Sequence, residues 1–297
     1  MVRLLGFDWR NSPAHNLLLT KFLHPQNPDS FTQRDEWRQV LGEDPRRAIK
    51  RFVDEGLLVP VTLSELLARQ CKVSHLKEML QQCGLPISGR KEELIARLVE
   101  VNPEGARRQV AGVTLLKCSE AGRQAAEAYL AQEQIKRERM EKKVIQALKD
   151  RRFRDASLAV ASYEAEQVFP RGTGIDWRRY DPTSDVELLT AIFQQKPKRL
   201  AYLTDVQMEP VRIAAGMWAL GWNLGQATEW LEANAPAGLD VPCNVAVHVT
   251  KSYAWFTVEI RRLRQLGCKW VEVRTCNDGF VCDACKKLAA KKYAIDK

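Results

Sequence analysis

Val73-Ser-His-Leu-Lys-Glu-Met-Leu-Gln-Gln-Cys-Gly-Leu-Pro-Ile-Ser-Gly-Arg-Lys-Glu-Glu-Leu-Ile-Ala-Arg-Leu98 is the stretch on which the reading of this chain turns. Val73, Leu76 and Leu80 recur at helical spacing and predict one apolar face. Gly84 stands where a left-handed cap would end that helix. Leu85 and Ile87 are placed to plug the gap between two helices. Ser88 and Gly89 turn the chain into a second helix, where Leu94, Ile95 and Leu98 complete a small core. About thirty-five residues close on themselves only with such economy. His75 is expected to face solvent from the first helix.

The string Gly-Leu-x-x-Ser-Gly-x-Lys-x-Glu-Leu-Ile-x-Arg-Leu, from Gly84 to Leu98, resembles a SAP domain. The resemblance implies a helix–turn–helix module that binds nucleic acid, usually duplex DNA, although some such modules serve as protein contacts. It implies binding positions at Ser88, Gly89, Arg90 and Lys91, where the second helix starts, with Lys77 and Arg97 nearby. The chemistry agrees with this assignment. A helix amino terminus offers unpaired N–H groups and a partial positive charge to a phosphate. Arg90 and Lys91 add two cations there. Binding by so small a module is expected to be weak and salt-dependent, reading backbone more than base identity.

The rest of the chain frames that module. It has 297 residues, 45% hydrophobic and 28% charged, which excludes a disordered chain and allows two or three domains. Its net charge of +9 favours an anionic partner such as DNA, RNA or an acidic membrane face. No apolar run approaches the roughly 18–20 residues that span a bilayer. Asp8 and Arg10 interrupt any signal core. The expectation is a cytoplasmic protein with no membrane partner, whose eight cysteines are thiols or metal ligands.

Before the SAP-like stretch, Ala14 to His24 suits a short helix, and Phe31-Thr-Gln-Arg-Asp reads as a helix start capped by Thr32. Asp44 and Pro45 open another helix. It would send Ala48, Ile49, Phe52 and Val53 to a core and present Arg46, Arg47, Lys50 and Arg51 elsewhere, as a second nucleic-acid contact surface. It stops at Gly56, before Leu57-Leu-Val59. After the SAP-like stretch, residues 113–118 read as a strand and Ser119-Glu-Ala-Gly-Arg as a helix start. Together these resemble a winged-helix domain, in which the helix ending at the Gly-Leu pair would enter the major groove and the wing would carry an insertion. Residues 120–154 read as one long connector helix, charged all round at Lys136–Lys143. Further helices are expected near 157–169, 185–195, 209–222, 226–234 and 245–266, with Trp218, Trp222, Trp230 and Trp255 as core.

At the far end, residues 269–274 alternate as a short strand. Cys276, Cys282 and Cys285 follow at Cys-x5-Cys-x2-Cys, a knuckle whose spacing suits zinc, with His248 or Cys268 as a fourth ligand if the fold delivers it. The bland alternative is two thiols at a helix start. The segment around Leu266-Gly-Cys-Lys-Trp-Val-Glu-Val-Arg-Thr also resembles the carboxyl-terminal element of phage head-morphogenesis proteins, but the Leu-Asp-Gly-Lys of that family is Leu288-Ala-Ala-Lys here. A nuclease would need an acidic residue with Glu-x-Lys, and Glu272-Val-Arg274 replaces the lysine with arginine. No phosphate-binding glycine loop or hydrolase elbow occurs, and the four histidines are scattered.

The resulting reading is a mainly α protein. A winged-helix-like unit (1–67 and 104–130) hosts a SAP insertion (68–103), a connector helix follows (120–154), and a helical carboxyl-terminal domain (155–297) ends in a strand and cysteine knuckle. Its working function is non-catalytic binding of duplex DNA. Two alternatives stay open: a phage head-associated structural protein within a larger protein assembly, and a metal-dependent nuclease.

Overall fold

A computed structural model of the chain describes residues 8–169, 182–272 and 291–295. The fold is mainly helical, and the strands among the described residues are three residues each. The chain divides into two compact units, Met1–Lys136 and Arg137–Lys297.

In the first unit, α1 (Pro13–Thr20) starts on a Ser12 cap with Pro13 at its first position, where no amide hydrogen is needed. A helical start at Thr32 does not form. Asp29–Thr32 is a one-turn helix, α2, and the Thr32 hydroxyl donates back to the Asp29 carbonyl at 2.9 Å instead of capping. The next helix, α3 (Asp35–Leu41), begins after Arg34. Helix α4 (Pro45–Asp54) forms as expected, with the Asp44 carboxylate accepting the Arg46 N–H at 2.9 Å. Ala48, Ile49 and Phe52 are buried, but Val53 is exposed. Gly56, left-handed at φ 71°, ends α4, and the Leu57 N–H returns to the Phe52 carbonyl at 2.8 Å. The core joins Trp9 to Phe52 (centroids 5.0 Å apart), Phe22 to Phe31 (5.2 Å) and Phe31 to Trp37 (5.7 Å).

Strand β1 (Leu58–Pro60) pairs antiparallel with β2 (Leu116–Cys118), Leu58 facing Cys118 and Pro60 facing Leu116. Four helices lie between the strands: α5 (Leu63–Gln70), α6 (Val73–Gln82), α7 (Lys91–Val101) and α8 (Pro103–Gln109). After β2, Ser119 caps the long helix α9 (Glu120–Lys149), its oxygen accepting the Gly122 N–H at 3.1 Å. Helix α9 passes from the first unit into the second, but it does not run to Arg154. It stops at Lys149 because Arg151 turns left-handed at φ 61°, and the Arg152 N–H closes the end on the Ala147 carbonyl at 2.8 Å.

The second unit packs the end of α9 with α10 (Phe153–Ala165), α11 (Pro182–Gln194), α12 (Asp205–Ala219), α13 (Leu224–Ala233) and α14 (Cys243–Gln265). Helix α12 starts four residues earlier than Glu209, on a Thr204–Gln207 capping box, and carries Pro210 within it. One core gathers Val144, Leu148, Val160, Leu189, Ile213 and Met217, and another gathers Leu203, Met208, Val211, Leu231 and Val247. Trp222 is buried, Trp218 and Trp230 are half-buried, and Trp255 is exposed instead of core. Strands β3 (Trp270–Glu272) and β4 (Lys292–Ala294) pair antiparallel after α14.

Candidate nucleic-acid interface

The insertion between β1 and β2 builds one small core. Leu76, Met79 and Leu80 of α6 meet Leu94, Ile95 and Leu98 of α7. Leu67 of α5, Ala106 of α8 and Val110 just after α8 complete it, so the core draws on four helices, not two. Val73 and Ile87, expected inside, are exposed; Leu85 packs against the cluster. The end of α6 explains the turn. Gly84, at φ 68°, sends its N–H to the Gln81 carbonyl (3.0 Å), and the Leu85 N–H reaches the Leu80 carbonyl (2.9 Å). This pair of bonds reverses the chain and presents Leu85 to the core.

Pro86 through Arg90 then run over the surface, and Ser88, Gly89 and Arg90 are all exposed. Gly89 is left-handed at φ 122°. The first hydrogen bond within α7 is Leu94 N–H to Arg90 carbonyl, 3.1 Å. The N–H groups of Lys91, Glu92 and Glu93 therefore precede the helical ladder and point outward from its start. Glu93 modifies this corner. Its carboxylate accepts the Arg90 N–H at 3.1 Å and lies over Gly89. Only this half of a capping box exists, because an arginine side chain has no acceptor. An incoming phosphate must share the corner with Glu93, a residue the sequence already displays three places after Arg90.

The remaining expected positions divide by role. Lys91 donates its ammonium to the Ala68 carbonyl at the end of α5 (2.5 Å). Arg97 donates to the Pro86 and Ser88 carbonyls, fixing the surface loop from below. Both keep their positive charge, since a carbonyl does not neutralise it. Lys77 is half-buried on α6 and pairs with no acid among the described residues. Arg90 is exposed and likewise pairs with no acid among them.

The α4 cations are more committed. Arg46 meets Asp29 at 3.5 Å, Lys50 meets Asp54 at 2.7 Å, and Arg51 binds Glu43 in bidentate fashion at 3.0 and 3.1 Å. Arg47 is exposed and pairs with no acid among the described residues. Glu43 also accepts from buried His15 at 2.8 Å, and His15 contacts the Ser12 hydroxyl at 2.8 Å. Burial alone would raise the Glu43 carboxyl, but the His15 and Arg51 hydrogen bonds hold it below its ordinary range. His15 and Arg51 thus brace α1 against α4.

Residues 72–101 match the family model of the SAP domain. They are a SAP domain. The SAP domain is a DNA-binding module, so a general DNA-binding role is supported for the protein that carries it. No curated protein and no solved structure matches the chain.

Elsewhere the sequence-derived sites separate. Cys276, Cys282, Cys285 and Arg274 lie outside the described residues. Glu272 is exposed on β3 opposite Lys292. His75 is half-buried, and His248 is exposed and lies against Trp218, ring centroids 5.5 Å apart. Burial raises the Cys118 thiol to about 11, which keeps it protonated and inert. No described helix is long and apolar enough to cross a membrane.

Proposed function

We propose that the protein binds duplex DNA by laying the start of α7 against the phosphate backbone, in a non-catalytic role. The observation that carries this reading is the exposed Ser88–Gly89–Arg90 corner opening α7 within the SAP domain. Unpaired amides of the first turn, the Arg90 guanidinium and the Lys91 ammonium would face adjacent groups of the phosphate backbone. Arg97 acts through the loop it holds, and Lys77 adds a flanking charge.

The winged-helix reading supplies the second contact. An antiparallel β1–β2 ribbon follows α4 in the manner of a wing, with the SAP domain in place of the wing tip. Arg47, with Arg46 and Lys50 on the exposed face of α4, would then approach the same duplex. The acid partners of Arg46 and Lys50 are surface partners, and such pairs exchange readily for phosphate.

The test is a charge reversal. Arg90→Glu with Lys91→Glu should weaken binding of a labelled duplex, read by fluorescence anisotropy, by about tenfold or more. The slope of log affinity against log salt should fall by roughly two, one unit per lost phosphate contact. Unchanged affinity and slope would remove this corner from the mechanism.

A further inference from the structure

We propose that the second unit carries a separate binding surface for single-stranded nucleic acid, on the exposed face of α14. The sequence places Tyr253, Phe256, Ile260 and Arg264 at intervals of three and four, so they fall on one stripe of the helix. The stripe rises about 16 Å along the axis. The buried flank of α14 is a different one, formed by Ala246, Val247, Thr250 and Ala254. Tyr253 is 45% exposed and Phe256 59%. With Thr257 and Arg261, the stripe lines a shallow groove of about 360 Å³. Large aromatic rings left in water at helical spacing cost solvation and contribute nothing to either core, which marks a contact surface.

The charge of this surface selects the partner. From Tyr253 to Glu272 the chain carries Arg261, Arg262, Arg264 and Lys269 against Glu259 and Glu272. Arg264 donates to the carbonyl of Ile295, just after β4, which fixes its guanidinium at the end of the groove without neutralising it. Arg261 meets Glu187 at 3.6 Å with both side chains about half exposed, a pair that a phosphate can replace. Aromatic faces with arginines beside them suit unstacked bases on a phosphate backbone. A paired duplex hides its base faces and cannot use the rings. This surface is therefore chemically distinct from the SAP corner, which offers cations and amides and no aromatic ring.

The test uses the full chain, a fluorescein-labelled thymidine 20-mer and a labelled duplex. Phe256→Leu keeps an apolar side chain and removes the stacking face; Tyr253→Ala is the second variant, and circular dichroism checks the fold of both. Each is expected to weaken single-strand binding about tenfold and to leave duplex binding unchanged. Arg90→Glu with Lys91→Glu should do the reverse, which separates this proposal from the SAP reading. The proposal is overturned if single-strand affinity survives Phe256→Leu, or if it is lost only with the SAP substitutions. It is equally overturned if sedimentation shows that Phe256→Leu dissociates a dimer of the parent chain, since the face would then be a contact between copies.

Discussion

Gly122 shows how a single residue position can fix a junction. A Cβ added there would collide with the Leu57 backbone carbonyl, which cannot swing aside as a side chain could. Gly122→Ala should therefore lower stability by about 2 kcal/mol, read as a reduced urea midpoint; an unchanged midpoint would mean that β1 moves freely. Arg151 is the opposite case, a left-handed residue that is not glycine. Its side chain offsets the backbone cost by binding Glu209 in bidentate fashion, at 2.7 and 2.6 Å, and by covering the Phe193 ring at 4.3 Å. Arg151→Ala removes those contacts and keeps the backbone cost. Arg151→Gly removes both, so the glycine variant should be more stable than the alanine variant by about 1 kcal/mol in urea unfolding. The sequence shows an arginine in a charged run and gives no sign of its conformation, because the partners lie 42 and 58 residues away.

At the scale of elements, the SAP domain is larger than its motif. Leu67, Ala106 and Val110 belong to its core but lie outside residues 72–101. A peptide of residues 72–101 should show little helix by circular dichroism, whereas residues 62–112 should melt cooperatively; equal behaviour would refute the four-helix unit. Glu65 connects this unit to the ribbon. It closes the capping box with Thr62 and accepts the Lys117 ammonium of β2 at 2.5 Å. The Lys117 hydrogen bond, with the Thr62 amide, holds the Glu65 carboxyl below its ordinary value. Glu43 is shifted in the same direction. A carboxyl whose folded pKa is depressed adds stability above its unfolded pKa and loses it as pH falls through the folded one. The urea midpoint should thus decline as pH falls below about 4.5, and Glu43→Gln with Glu65→Gln should flatten that decline.

For the whole molecule, the position of the insertion makes a further prediction. Val61 donates to the Leu115 carbonyl at 3.1 Å, so the chain leaves and re-enters the ribbon at one place. Replacing residues 62–114 with Asn-Gly should close β1 and β2 as a hairpin. The shortened chain should still unfold cooperatively by calorimetry while duplex affinity falls at least tenfold; full retention of affinity would relocate the DNA site. Local signals sufficed for much of this architecture. Asp44-Pro45, Gly56, Gly84 and Ser119 determined where helices start and stop, because caps and left-handed turns depend on neighbours in the chain. The SAP motif was legible for the same reason, its core recurring at short helical spacing. Tertiary structure alone decided that Trp255 faces water, that α5 and α8 join the SAP core, and that Lys91 and Arg97 hold carbonyls. Those outcomes depend on which distant surfaces meet, and spacing along a chain carries no record of that.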